Sequence, residues 1–344
     1  MKKFDVVIIG GGPGGSSCAY KLSSCGAHVL VVDFKRSIGT PVQCAEYVPV
    51  QLYNQFGEFF LKEAIAQKVF NMVNFTPWEQ TVSMPSEGFV LNRNIFDHHI
   101  ARLADKKGTI YAMRTRFLGL EDGKVWLENI ENRERFYVRS DFLVGADGPH
   151  SKVAKLTGEH TKSFLKTAQV TLPLRKPLHD LLIYFKEYIP GGYGWIFPKG
   201  YVANVGVGID ADYPVNIMGS LSKFLEEVTK EGIVENKVVS KTGGWIPADG
   251  LLKPVRDNVL LVGDAGGFCH PITGGGIANA VLSGSMAGVA ILSGRVKDYE
   301  EEAQDVFGNV LLRASMKRKR YMKRWDHLER TIPITWIAFE EYWR

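Results

Sequence analysis

The sequence predicts an α/β protein in which a Rossmann-like, doubly wound dinucleotide-binding domain is interleaved with an antiparallel-sheet subdomain. Three observations lead there. The run Gly10-Gly11-Gly12-Pro13-Gly14-Gly15 sits between an apolar strand pattern and a helical pattern near the N-terminus. Strand-rich sequence spans Ala168 to Asp210. A short apolar strand, Val259 to Val262, then runs into Gly263-Asp264 and re-enters the first pattern late in the chain.

Taken in order, Asp5 to Ile9 reads as a strand, Gly14 to about Cys25 as a helix and Val29 to Val32 as a second strand. That order predicts a parallel pair with a right-handed crossover. A loop follows from Lys35 to Val48, and Ile95 to Lys107 carries a helical pattern. Alternating segments through Tyr137, broken at Glu121-Asp122-Gly123 and Glu131-Asn132, predict a small antiparallel meander. Asp141 to Ala146 reads as a separate buried strand ending at Asp147-Gly148. Lys199-Gly200 predicts a hairpin turn between two long strands. With no internal repeat and no low-complexity linker, the expected dinucleotide-binding domain covers 1–160 and 245–295, with the meander at 115–140. The sheet subdomain takes 161–244, and 296–344 forms a basic, aromatic helical segment.

Composition narrows the class. The 344 residues, 45% hydrophobic and 23% charged, suffice for a sizeable core. Cys18, Cys25, Cys44 and Cys269 form no C-x-x-C pair, so no disulfide framework or metal site is expected, and a reducing, cytoplasmic setting fits. Met1-Lys2-Lys3 passes straight into the first strand pattern, so no secretory leader is expected. Ala265 to Gly294 carries no Asp, Glu, Lys or Arg across thirty residues, long enough for a membrane span. Pro271, Gly274-Gly275-Gly276 and an Ala-, Gly- and Ser-rich second half predict instead a loop feeding a buried helix.

Net charge is +5, yet Arg313 to Arg330 alone holds eight Lys or Arg against two acids. This local excess suits an anionic surface such as phospholipid headgroups, and a solvated basic helix face accounts for it equally. Nucleic-acid binding would bring a broader basic footprint or a known motif and is not expected. Tyr321, Trp325 and Leu328 at helical spacing, then Trp336, Phe339 and Trp343, either lie on a membrane or dock on the protein's own core.

Gly10, Gly12 and Gly15 satisfy G-x-G-x-x-G between strand and helix, with Gly14 in the same run. Gly10 allows the tight turn, Gly12 lets backbone approach a pyrophosphate, and Gly15 lets helix and strand pack closely. The helix N-terminus favours the anion. Asp33 ends the second strand, where a carboxylate binds ribose hydroxyls. Period-2 geometry puts Tyr193, Trp195 and Phe197 on one strand face, as a cavity wall or as core.

Three later segments bear on which dinucleotide binds: Arg93-x-x-Phe96-Asp97; Gly145-Ala146-Asp147-Gly148 with Ser151 and Val153; and Gly263-Asp264-Ala265-Gly266 with Pro271 and Gly274-Gly275-Gly276-Ile277. Together they resemble the flavoprotein superfamily of aromatic hydroxylases, flavin halogenases and geranylgeranyl reductases. Ile38 to Glu46, around Cys44, and Tyr193-Gly194-Trp195-Ile196-Phe197-Pro198-Lys199 are most similar to the geranylgeranyl reductase family, with Ala45 where that family usually has Gly. The likeness runs from about residue 1 to residue 290.

The resemblance implies FAD as cofactor, contacted by Gly15, Asp33, Cys44, Ala45, Arg93, Asp264, Gly276 and Ile277. Arg93 suits the pyrophosphate, Asp264 the ribityl hydroxyls, and the N–H groups of Gly276 and Ile277 a reduced flavin's negative charge. Asp147 reads as a turn residue. The implied reaction is hydride transfer to C=C bonds of a prenyl chain on a lipid, quinone or tetrapyrrole, with Cys44 as proton donor or as an inert buried thiol. His270 reads as a loop residue, with proton donation as the alternative. The expected enzyme is cytoplasmic and peripheral at the inner membrane face through 313–344, its external electron donor NAD(P)H, a ferredoxin or another flavoprotein. Family members are commonly longer, so a part that closes the lipid cavity is expected to be missing. Rival readings are a flavin monooxygenase and an electron-transfer flavoprotein delivering electrons to a quinone.

Overall fold

Two eight-stranded sheets, each assembled from distant stretches of chain, organise the computed structural model, which describes residues 2–322 and 324–344, Tyr321 for its backbone only. The chain begins β1 (Lys3–Ile9), α1 (Pro13–Ser24), β2 (Val29–Val32), β3 (Tyr47–Pro49), α2 (Val50–Gln55), β4 (Ile65–Phe75), β5 (Thr81–Leu91) and α3 (Arg93–Lys106). It continues with β6 (Ile110–Ala112), β7 (Thr115–Glu121), β8 (Lys124–Asn129), β9 (Arg135–Gly145), α4 (Lys152–Leu156), β10 (Phe164–Pro173), β11 (Leu181–Tyr184), β12 (Tyr193–Lys199) and β13 (Val202–Asp210). Then come α5 (Ile217–Lys230), β14 (Ser240–Pro247), β15 (Val255–Arg256), β16 (Val259–Leu261), α6 (Ile277–Leu292), α7 (Asp298–Ala303), α8 (Asn309–Lys317), α9 (Leu328–Thr335) and α10 (Glu340–Trp343).

In the first sheet, β16, β9, β1, β2 and β6 run parallel in that spatial order. All four residues of β2 are buried, as a strand covered on both faces requires. The predicted meander and the predicted strand at 141–146 are one element: the first half of β9 pairs antiparallel with β8, and its second half pairs parallel with β1. A continuous strand leaves no turn signal, so the sequence divided it only by composition.

The second sheet has the order β14-β10-β13-β12-β11-β4-β5-β3. This corrects the expected boundary at residue 160. Strands β3, β4 and β5, from 47–91, join β10 to β14 rather than the dinucleotide-binding sheet, through the parallel pairing of β4 with β11. The two sheets are thus interleaved twice.

Helices α1 and α6 cross at very close range. A Cβ added at Gly284 would lie 2.1 Å from the Gly14 carbonyl oxygen, and Ser17 Oγ donates to the Val281 carbonyl at 2.8 Å. The uncharged stretch is therefore a loop and a packed helix, as predicted, and among the described residues no helix is long and apolar enough to cross a membrane.

The C-terminal segment turns inward. Trp325, Leu328, Ile332, Trp336, Phe339 and Tyr342 are buried against Ile183, Phe185 and Trp195 of the second sheet, while Trp343 is exposed. Of the two expectations for these side chains, docking on the protein's own core holds for Trp325, Leu328, Trp336 and Phe339 and not for Trp343, while the side chain of Tyr321 lies outside the described residues. Two links fix the segment: Trp336 Nε1 donates to buried Asn74 Oδ1 at 2.7 Å, and buried Arg318 pairs with Asp210 at 2.6 Å.

Candidate active site

A cavity of about 1200 Å³ is lined from both sheets, by the Gly10–Gly14 turn on one side and by Tyr193, Trp195, Phe197, Met72 and Ile183 on the other. Gly10, Gly12, Gly14, Asp33, Cys44, Ala45, Arg93, Asp264, Gly276 and Ile277 all reach it. Gly15 does not line it. It packs α1 on β1, where a Cβ would lie 2.0 Å from the Gly10 carbonyl oxygen.

The N-terminus of α1 begins at Gly12, with no side-chain cap, and a Cβ there would meet nothing within 4 Å. Gly10 has φ +105° and its backbone lies against the Ala146 carbonyl, where any side chain would clash. Asp33 is anchored by backbone, accepting from Gly11 N–H at 2.9 Å and Lys35 N–H at 2.8 Å. Each carboxylate oxygen keeps a lone pair for a hydroxyl.

The N-terminus of α6 opens into the same cavity at Gly276 and is also uncapped by any side chain. Beside it stands Asp264, whose carboxyl is pushed up to about 6 by burial against the opposing pull of Arg93. No hydrogen-bond donor among the described residues reaches it. A carboxylate without a hydrogen-bond donor, in a cavity that also receives the open N-termini of α1 and α6, matches a ligand that carries both hydroxyls and negative charge.

Arg93 lines the cavity and is held in place from behind. Its Nε and Nη2 form a bidentate pair with buried Asp97, at 2.8 and 2.7 Å. The same guanidinium reaches the Cys44 thiol and pulls it down, but burial dominates and the thiol lies above the ordinary range. The tuning partner that the sequence did not reveal is thus Arg93, and its effect is outweighed. Asp147 fulfils its turn role, accepting from Ser151 Oγ at 2.5 Å and Lys152 N–H at 2.7 Å to fasten α4. His270 Nδ1 accepts from Thr273 N–H at 3.1 Å, and burial lowers its pKa to about 4, so it is a neutral loop residue at physiological pH.

Tyr193, Trp195 and Phe197 share one face, as their alternation predicts, and that face lines the cavity. Tyr193 OH donates to the Thr273 carbonyl at 2.5 Å. Three further residues complete the site without having been expected there. Gln169 accepts from Trp195 Nε1 at 3.0 Å and donates to the Cys44 carbonyl at 3.1 Å. Buried Glu46, at φ +75°, accepts from Lys199 Nζ, from Asn204 Nδ2 at 2.8 Å and from Arg93 N–H. Trp336 closes one wall. Glu46 closes the Ile38–Glu46 segment, but no local signal pairs it with Asn204 or Lys199.

The family model for the geranylgeranyl reductase catalytic domain matches residues 176–246, and that for an NAD(P)-binding Rossmann-like domain matches residues 8–56. The digeranylgeranylglycerophospholipid reductase of Methanococcus aeolicus is 33% identical over 95% of this chain and 88% of its own length. The chain belongs to the geranylgeranyl reductase family. The Methanocaldococcus jannaschii reductase of the same name is 32% identical, over 95% of this chain and 85% of its own. A geranylgeranyl bacteriochlorophyll reductase-like protein from Thermoplasma acidophilum superposes with a TM-score of 0.87 at 27% identity, covering 99% of this chain and 93% of that one. The flavin-dependent brominase Bmp2, at 19% identity and a TM-score of 0.74, shares the fold. Like its family, this reductase is an FAD-dependent oxidoreductase, and the Gly12 cradle, Asp33 and unpartnered Asp264 fit that cofactor.

Proposed function

We propose that this reductase saturates isolated C=C bonds in a prenyl chain attached to a phospholipid-type headgroup. The observation that carries the reading is the continuous apolar wall of Tyr193, Trp195, Phe197, Met72 and Ile183, which leads to Cys44 and the open N-terminus of α6. The relatives named above support it, since their names specify a digeranylgeranyl lipid. Burying each methylene contributes about 0.8 kcal/mol, so a long prenyl group is gripped with few polar contacts.

FAD, when bound and reduced, supplies the hydride. The chain's own residues do the rest. Gly12 and the α1 N-terminus hold the pyrophosphate, Asp33 a ribose and Asp264 the ribityl hydroxyls. The α6 N-terminus stabilises negative charge at the ring. Cys44, kept protonated by burial, holds a proton at Sγ for the carbon opposite the hydride, and Gln169 fixes its backbone. Neutral, loop-bound His270 does not serve this role.

The electron donor is external in this reading. Exposed Leu312, Met316 and Trp343 beside Arg313 and Lys319 support peripheral attachment to anionic lipid at the inner membrane face. The deciding experiment mixes dithionite-reduced protein anaerobically with a geranylgeranylated lipid. Flavin reoxidation with a two-dalton gain per bond is expected. Reoxidation only on admitting oxygen would replace this reading with a monooxygenase.

A further inference from the structure

Arg318 opens the wide helical turn Arg318–Met322 after α8 and is 3% exposed, with its guanidinium bonded to three separate stretches of chain. Nη2 donates to Asp210 Oδ2, at the end of β13, at 2.6 Å. Nη1 donates to the Gly191 carbonyl, just before β12, at 3.2 Å and to the Pro271 carbonyl at 3.3 Å. Pro271 lies in the loop that feeds α6. That loop is closed on itself, since Gly274 N–H donates to the His270 carbonyl and His270 N–H to the Gly275 carbonyl, each at 2.9 Å. It delivers Gly276, where α6 opens into the main cavity.

The C-terminal segment meets the same loop at two further points. Tyr342 OH lies 3.5 Å from His270 Nε2, and Trp336 packs on Tyr193, whose hydroxyl donates to the Thr273 carbonyl. Of these contacts, the one from Arg318 brings a buried charge. A buried ion pair is a poor source of stability, because desolvating both ions offsets most of their attraction, and apolar side chains of similar volume commonly pack as well or better. What a guanidinium adds is a flat fork with donors at fixed angles, able to hold a carboxylate and two carbonyls at once. A lysine ammonium is a single point charge.

We infer that Arg318 is a positioning residue for the flavin: it fixes the Pro271–Gly276 loop to β12 and β13 and so aims the N–H groups of the α6 N-terminus at the ring. Arg318 itself does not line the cavity. The C-terminal segment thereby helps to set how readily the bound flavin takes up electrons. With the loop released, those N–H groups spread over more orientations, and the negative charge of a reduced ring loses stabilisation that a neutral oxidised ring hardly uses. This inference rests on the reading that places the flavin ring beside Gly276.

The test uses the full-length protein without lipid and reads two quantities. In FAD-free Arg318→Lys, amide exchange across 270–276 should be about tenfold faster than in the wild type. In the FAD-loaded variant, the balance between reduced and oxidised flavin should shift about tenfold towards oxidised, which lowers the midpoint potential by about 30 mV for a two-electron couple. Trp325→Phe removes a bond to the Lys186 carbonyl in the same segment, away from the loop, and should leave both readouts at their wild-type values. If Arg318→Lys does not fold, Arg318→Gln with Asp210→Asn, which leaves neither of the paired charges, is read in the same way. Unchanged exchange and potential overturn the proposal at Arg318, and equal shifts in Trp325→Phe overturn it as general loosening. Faster exchange with an unchanged potential overturns it by removing the ring from Gly276. No prenyl substrate enters either readout, so the anaerobic lipid experiment decides the reductase reading separately.

Discussion

Lys199 and Glu46, 153 residues apart in the chain, meet as an ion pair of 2.5 Å that joins the end of the aromatic strand β12 to the segment carrying Cys44. Glu46 is buried and Lys199 nearly so. Lys199→Met leaves a buried carboxylate without its cation and should cost about 3–5 kcal/mol in urea unfolding. Lys199→Met with Glu46→Gln should recover much of that loss. A double variant no more stable than the single one would show that the pair is not the source.

Gln169 ties Trp195 to the Cys44 backbone. Gln169→Met keeps the volume and removes both bonds. Iodoacetamide should then alkylate Cys44 faster, and kcat should fall about tenfold with KM little changed. Unaltered alkylation and turnover would make Gln169 a packing residue only. Since burial holds the thiol above its ordinary range, loss of activity from Cys44 ionisation in the wild type should begin only at strongly alkaline pH.

Asp264 is raised from 3.8 to about 6 in the folded protein. Because the folded state binds that proton more tightly than the unfolded chain, its ionisation destabilises the FAD-free protein progressively as pH rises from about 4 through 6. Asp264→Asn should therefore stabilise the FAD-free protein at pH 8 by about 2–3 kcal/mol. The same change should weaken FAD binding at least tenfold, through the lost charged acceptor. Thermal melts with and without FAD separate the two effects, and a variant weaker in both would refute the assignment.

His270 titrates in the opposite sense. Burial holds it neutral to about pH 4, against 6.5 unfolded. The unfolded chain takes up the proton first, so the associated stability is complete above about 6.5 and is lost as pH falls towards 4. His270→Asn should flatten the acid limb of the melting temperature in that window. If wild type and variant keep the same slope, another group controls it.

Trp336 packs edge-on against Tyr193, with centroids 4.8 Å apart, and is bonded to Asn74. Trp336→Phe should cost about 1–3 kcal/mol, chiefly from the orphaned Asn74 oxygen, and Trp336→Ala about 3–5 kcal/mol. Chemical denaturation measures both. In the Ala variant the widened wall should also raise activity on longer prenyl chains relative to shorter ones.

What the sequence disclosed follows the range of each interaction. The Gly10–Gly15 turn, Asp33 and the alternation of Tyr193, Trp195 and Phe197 are local patterns, and the structure places them together. Strands β4 and β5 escaped notice because only three residues of each are fully buried, and Pro85 and Gly88 interrupt the sequence of β5. Their place in the second sheet depends on β4 pairing with β11, more than a hundred residues later. Gln169 and Glu46 matter through partners up to 158 residues away, which no window of sequence contains. The basic window at 313–330 was legible as charge, but not the buried use of Arg318 on Asp210 and on the Pro271 carbonyl.

The contact between Gly14 and Gly284 has a consequence for cofactor choice. With their backbones touching, α1 and α6 behave as one rigid piece, and the span between their two N-termini is set before any ligand arrives. The protein thereby measures length: a molecule must carry its phosphates and its electron-accepting ring at that fixed interval to satisfy both ends at once. FMN carries the same interval between ring and phosphate and lacks only the adenosine half, for whose ribose Asp33 is placed. Gly284→Ala, outside the cavity lining, would alter the interval, because its Cβ would otherwise overlap the Gly14 carbonyl. A gauge of this kind admits flavin nucleotides through helix packing and leaves the choice of FAD to Asp33.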